Sequence, residues 1–303
     1  MIGKSDRPNP IPTVKVGRVP AASITDEFNA QLQKRSTMSS EVALNGRRCA
    51  ILGVRIDELN YTSVLTQVRH WAIEQFSCYV CISTVHMIME SYDDPKFRAI
   101  VNGADLVAAD GIPVIWISRC LGMRQQNRVF APEVTLRICE MAARDGIPVG
   151  FYGSTPEVIT DLQRNITRRF PALAVPFCYS PPFRPLTPQE DEESVSMINR
   201  SGIRILFVGL GCPKQERWMK EHRGRVSATM LGVGWAFDVL AGRSKTAPAW
   251  VQYIGMEWLY RLVLNPRKLW RRHLKHNPRF VILALHQLLH HVMGKGVRDS
   301  ADR

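Results

Sequence analysis

Several things are missing from this 303-residue sequence. There is no run of about eighteen uninterrupted apolar residues, so no strong transmembrane helix is encoded. The opening stretch, MIGKSDRPNPIPTVKVGRVP, is too polar and proline-rich for the apolar core of a signal peptide. No G-x-x-x-x-G-K-[ST] loop occurs, which disfavours phosphoryl transfer in the P-loop style. Nor does G-x-G-x-x-G follow the first apolar run with an acid some twenty residues on, so a nicotinamide dehydrogenase is weakly supported. Repeats of solenoid period and low-complexity tracts are also lacking. The seven cysteines are odd in number and scattered. Cys78 and Cys81 have C-x-x-C spacing, but inside a strand-like run, so buried thiols in a reducing cytosol are the expectation. Acids are scarce at one end: from Ala247 onward Glu257 is the only one before Asp299.

What is present is ordinary globular composition, 45% hydrophobic and 22% charged, with a formal net charge of +13. Such a charge implies an anionic partner: nucleic acid, an anionic membrane surface or a phosphorylated substrate.

Residues 1–44 carry many prolines and polar residues without periodicity and read as a flexible arm. From Asn45 short apolar runs alternate with amphipathic stretches. RCAILGVRID, CYVCIS, ADLVAA, IPVGFYG, LAVPFCYS, IRILFVGLG and VSATMLGVG read as strands, and segments such as TSVLTQVRHWAIEQF, APEVTLRICEMAARDG and CPKQERWMKEHRG as helices. This alternation predicts an α/β domain over 45–246, a doubly wound, mostly parallel, Rossmann-like sheet. Residues 247–303 read as a basic helical appendage, broken at Asn265-Pro266 and at Asn277-Pro278.

In such a sheet ligands bind beyond the carboxyl ends of the strands. There ADLVAA leads into Asp110-Gly111, IPVGFY into Gly153-Ser154-Thr155-Pro156, IRILFV into the turn from Gly209 to Glu216, and VSATML into Gly232 through Asp238. Glycines let backbone N–H groups approach a ligand, and a helix starting there adds partial positive charge, which suits a diphosphate. Pro213 is expected in the first helical turn, with Lys214 and Gln215 facing the rim. The plain alternative is that these are tight strand-to-helix turns and nothing more. Asp110 reads either as a general base or as the cap of the GIPVIWIS helix, with Asp238 the second candidate base.

The phrases NGADLVAADGIPVIW, YSPPFRPLTPQE, VGLGCPKQERWM, GVGWAFDVLAGRSKTAPAW and GMEWLYRL, in this order, resemble the WecG/TagA/CpsF family of bacterial glycosyltransferases, from about Gly46 to about Arg272. The resemblance implies a metal-independent, inverting enzyme without cofactors that moves a sugar from a UDP-sugar to a polyprenyl-diphosphate-linked sugar at the inner face of the plasma membrane. It implies Asp110 as general base. It implies a donor site made by Gly153, Ser154, Gly209, Gly211, Lys214, Gln215, Glu216 and Gly234, with Glu216 either touching the donor or packing a helix. Acceptor contacts are expected from Thr84, His86, Arg128, Arg261, Lys268 and Arg271, the last three sharing one helical face. The absence of Asp-x-Asp fits, because transferases that hold the diphosphate through a metal commonly use such carboxylates.

Two departures bear on the substrate. The family's Thr-x-Asn reads Ile82-Ser83-Thr84 here, and its R-V-x-G-x-D reads Arg128-Val129-Phe130-Ala131-Pro132-Glu133. The closest look is to exopolysaccharide glucosyltransferases, so a hexose is the expected cargo, with N-acetylmannosamine or its uronic acid as the alternative. Tryptophans and leucines interleave with the tail's cations, which suits a headgroup layer where each basic residue is worth roughly 1 kcal/mol. Residues 280–293 are expected to lie on the membrane or to pack on the core. Self-association is possible from the resemblance. A nucleic-acid binder lacks support because no recognition motif accompanies the charge. A non-catalytic subunit of the same pathway is the third reading.

Overall fold

The computed structural model describes residues 46–264 and 266–301, so the expected arm lies outside the described residues. The chain opens on a departure from the sequence reading. RCAILGVRID is not one strand of the main sheet but an antiparallel hairpin, β1 (Arg48–Ile51) and β2 (Val54–Asp57), forming a small sheet of its own. Leu52 and Gly53 both hold positive φ, 50° and 83°, the backbone that a two-residue hairpin turn requires.

There follow α1 (Tyr61–Ile73), β3 (Tyr79–Ser83), α2 (Val85–Asp93), α3 (Pro95–Asn102), β4 (Leu106–Ala109), α4 (Ile112–Cys120), α5 (Ala131–Asp145), β5 (Val149–Gly153), α6 (Pro156–Arg169), β6 (Phe177–Tyr179), α7 (Pro188–Arg200), β7 (Ile205–Gly209), α8 (Lys214–His222), β8 (Thr229–Gly232), α9 (Ala236–Leu240), α10 (Ala249–Tyr253), α11 (Glu257–Leu264) and α12 (Pro266–Ala301). The helix starts are written locally. Asn60, Thr84, Asp94, Thr155 and Thr187 each cap an orphan N–H with a side-chain oxygen, and proline follows directly after Asp94, Thr155 and Thr187.

β3 to β8 form one six-stranded sheet in the order β4-β3-β8-β7-β5-β6, with every pairing parallel. Both faces are covered, which is why the strands read as unbroken apolar runs. Within β7 the alternation is still visible: Ile205 and Phe207 enter one core, Leu206 and Val208 the other. Phe207 stacks on Phe151 at 5.2 Å on the first face, and on the second Trp218 stacks on Tyr152 at 4.6 Å. β3 and β4 wind to one side and β5 and β6 to the other, so the loops after β3, β8 and β7 meet in the middle of the carboxyl edge.

The appendage corrects one expectation. A break does fall before Pro266, but α12 runs straight through Pro278. Proline removes one backbone hydrogen bond and crowds the preceding turn; here the residues on either side are anchored, with His276 and Phe280 both buried. Residues 280–293 pack on the core along one side. Phe280 and Ala284 are buried in the second core, and Gln287 donates to Ala50 O at 2.7 Å while accepting from the Leu52 N–H at 2.9 Å. Val281, Ile282, Leu285, Leu289 and Val292 remain exposed on the other side. No helix among the described residues is long and apolar enough to cross a membrane.

Candidate active site at the carboxyl edge

β4 delivers Asp110 to the carboxyl edge, where its N–H donates to Ser83 O of β3 at 2.9 Å and so continues the strand pairing by one residue. Its carboxylate is held by Arg128, whose Nε donates to Asp110 Oδ1 at 2.9 Å and to the Asp110 carbonyl at 2.8 Å; the Ala131 N–H reaches Oδ2 at 3.4 Å. The capping alternative is not realised. α4 starts at Ile112 with Gly111 as its cap residue and no side-chain cap. Burial pushes the Asp110 carboxyl up to about 6, against the pull of Arg128 and with a further push from Glu257. A carboxylate in that range is ionised at neutral pH yet basic enough to accept a proton.

Arg128 was expected among the acceptor contacts; the structure shows each of its three nitrogens donating to the protein itself. Besides Asp110 it donates to Gln252 Oε1 at 3.0 Å and to Glu257 Oε2, and its guanidinium lies 4.3 Å from the Phe130 ring centroid. Burial works against its charge, and the two carboxylates more than offset that, so its pKa is raised. Gln252 sits on α10 and Glu257 on α11, so Arg128 ties the appendage to the edge. Sequence reasoning missed Glu257 and Gln252 as partners. The signal was available for Glu257: a single acid in a long basic stretch marks a position where a negative charge is wanted.

The glycines of the edge pack the loops against each other. A Cβ on Gly153 would lie 2.7 Å from Gly209 C, and one on Gly209 would lie 2.4 Å from the Phe237 ring. The Ser154 N–H donates to Gly209 O at 3.1 Å, and the Gly234 N–H to Val208 O at 3.2 Å, so the ends of β5, β7 and β8 are tied together by their own backbones. Gln215 then locks the turn after β7. Its N–H bonds Gly211 O at 2.9 Å, its Oε1 accepts from the Gly211 N–H at 3.2 Å, and its amide nitrogen donates to Glu216 Oε1 at 2.7 Å. Gln215 lies against Gly232 and Gly234, where any side chain would collide with it or crowd it. Glu216 is fully buried beneath the turn, and burial raises its carboxyl to about 7, with Gln215 and the Cys212 thiol pulling the other way. Of the two readings of Glu216, the geometry matches packing. Pro213, joined to Cys212 by a cis peptide, is the cap residue of α8 instead of sitting in its first turn, and Lys214 is the first helical residue, exposed at the edge.

The remaining expected residues divide. Thr84 is at the edge but caps α2, its Oγ1 accepting from the Met87 N–H at 3.4 Å. His86 stands on the first turn of α2 facing α12, its ring 5.1 Å from that of His276. Arg261 lies over the Trp235 ring at 3.9 Å, in the loop between β8 and α9. The expected single face of Arg261, Lys268 and Arg271 is not formed. Arg261 belongs to α11 and Arg271, exposed, to α12, because Pro266 cannot continue a helix from α11. The Lys268 side chain lies outside the described residues. Asp238, half-buried on α9, makes its recorded contacts through its carbonyl, to the N–H groups of Arg243 and Ser244.

The edge therefore carries a buried carboxyl group held by an arginine, a braced turn with a lysine at its helix start, and a cation brought in from the C-terminal helices. The family model described as glycosyl transferase WecG/TagA/CpsF matches residues 49–293. A relative from Bacillus spizizenii (strain W23) is similar to this chain, 30% identical over 197 residues, which is 65% of this chain and 74% of the relative. That protein is named N-acetylglucosaminyldiphosphoundecaprenol N-acetyl-beta-D-mannosaminyltransferase.

Proposed function

We propose that this chain, which belongs to the glycosyl transferase WecG/TagA/CpsF family, moves a hexose from a UDP-sugar to a sugar carried on a polyprenyl diphosphate, inverting the anomeric centre. Asp110 takes the proton from the acceptor hydroxyl as that oxygen attacks the anomeric carbon, and the glycosidic bond to UDP breaks on the opposite side. No general acid is needed, because UDP leaves as a stable diphosphate. Lys214 and Arg261 neutralise its charge at the edge, Gln215 and Glu216 keep the turn in shape, and Arg128 fixes the carboxylate. The diphosphate is held without a metal.

The observation that carries this reading is the buried carboxyl of Asp110, raised to about 6 and aimed by Arg128 at the edge where the glycine turns gather. β4 and β7 are three strand steps apart, about 14 Å at 4.8 Å per step, and this placing of Asp110 and the Gly209–Glu216 turn on one edge supports the reading. The basic appendage and its exposed apolar side chains support a peripheral position on an anionic, inner membrane surface, with the product serving a bacterial exopolysaccharide. The relative's printed activity favours a second reading for the cargo, N-acetylmannosamine.

The test is a thermal-shift panel of UDP-sugars followed by transfer to a polyprenyl-diphosphate-linked acceptor, with the anomeric configuration read by NMR. A donor that binds the folded state at a hundred times its dissociation constant stabilises it by about 2.7 kcal/mol. A UDP-hexose should give the largest shift, unchanged by added magnesium or manganese, and a product of inverted configuration. The largest shift from UDP-N-acetylmannosamine selects the second reading, and retention of configuration removes Asp110 from the role of base.

A further inference from the structure

Where α12 crosses α2, two histidines and a glutamate converge on a point that the proposed transfer chemistry does not use. His86 and Glu90 are four residues apart and so share a face of α2. His276 comes from α12, is 3% exposed, and places Nε2 at 3.2 Å from Glu90 Oε1. His86 Nδ1 stands 3.9 Å from the same oxygen, and one ligand-type atom from each of the three residues lies within 4.8 Å of the others. We propose that His86, Glu90 and His276 bind a divalent first-row transition ion, zinc by the chemistry of the donors, which clamps the C-terminal helix to α2.

The geometry is close to what such an ion demands. Ligands about 2.0–2.2 Å from a tetrahedral zinc lie roughly 3.3–3.5 Å from one another. The 3.2 Å and 3.9 Å separations bracket that value, and small side-chain rotations bring the third pair in. Two imidazoles with one carboxylate suit zinc, copper or nickel and suit magnesium or calcium poorly, since those prefer all-oxygen shells. Three protein ligands leave a fourth position for water.

Docking of α12 does not itself require this trio. One turn further on, Arg279 makes a double hydrogen bond to Asp93 at 2.8 and 3.0 Å, Lys275 lies 3.5 Å from Asp93, and Phe280 is buried in the core beside them. A half-buried, closely spaced imidazole–carboxylate–imidazole group thus stands beside an anchor made by other side chains. Its position gives an ion leverage. α2 is capped by Thr84, directly after the β3 residue whose carbonyl receives the Asp110 N–H. An ion there fixes the appendage relative to the β3–β4 side of the edge while staying out of the transfer step.

A rival site must be separated from this one. His286 and His290 on the exposed side of α12 bring their Nε2 atoms to 3.1 Å, a two-ligand pair of the kind that chelates metals on helix surfaces. The experiment titrates zinc into the full metal-free chain and repeats the titration with cobalt, whose visible spectrum reports tetrahedral ligation. One ion per chain is expected. Affinity should fall at least tenfold in Glu90→Gln and in His276→Asn, and should be unchanged in the His286→Asn, His290→Asn double variant. Amide exchange of the unmodified protein supplies a readout independent of any variant's folding: zinc should slow exchange across 266–284. Equal affinity in the first two variants, loss confined to the double variant, or exchange unaltered by zinc overturns the proposal.

Discussion

The sheet edge and the C-terminal helices are built on opposite principles. At the edge every glycine-bearing turn is cross-tied, by Ser154 to Gly209, Gly234 to Val208 and Gln215 to Gly211, over a core with no exposed strand residue from β3 to β5. The appendage is held by a few long-range polar contacts, Arg128 to Glu257, Arg279 to Asp93 and Gln287 to the hairpin, and shows large apolar side chains such as Trp250, Tyr253, Val263 and Leu274 to solvent. Under the proposed function, preorganised donors and a fixed base cost no reorganisation during reaction, whereas an element that admits a lipid-borne acceptor has to part from the body at low cost. The difference teaches where to look for chemistry and where to look for access.

The sharpest way to break this division is Asp110→Asn. A general base contributes about a hundredfold to ten-thousandfold, so turnover should fall within that range while donor binding by thermal shift stays put. Unchanged turnover would move the chemistry elsewhere. Next, Gly209→Ala drives a methyl into the Phe237 ring. Overpacking of this kind costs about 1–3 kcal/mol, and the whole domain should melt several degrees lower; a variant that melts normally would mean the edge is softer than its contacts imply. The pH profile sharpens the comparison further. Asp110 must be ionised to act, so kcat/KM should drop as pH falls through about 6, by about tenfold per unit below it, and Asp110→Asn should lose that limb. Smallest of all, Arg279→Ala removes an exposed ion pair. Global melting should hardly change, while amide exchange across α12 quickens, and added salt should mimic the variant.

Much of the body was legible because its signals are local. Apolar runs of strand length, Thr-Pro and Asp-Pro helix starts, and glycines after strands mark β3 to β8 and place Asp110 and the Gly209–Glu216 turn on one edge. RCAILGVRID misled because its apolar content matches a buried strand, and only the Leu52-Gly53 backbone reveals the reversal. Pro278 misled because helix propensity is a local preference that the burial of His276 and Phe280 overrides. The role of Arg128 was hidden by distance: its partners lie 124 and 129 positions away in sequence, and no window along the chain joins them. The same holds for the meeting of His276 with Glu90, which exists only once α12 has folded back.

That return has a consequence for how the protein is made. Gln287 completes the β1–β2 turn by bonding residues 237 and 235 positions earlier. At a synthesis rate of 5–20 residues per second, the hairpin waits roughly 10–50 seconds for its last partner to be translated. Throughout that interval the apolar side chains that Phe280 covers in the finished protein lack that cover, and the hairpin lacks its partner Gln287.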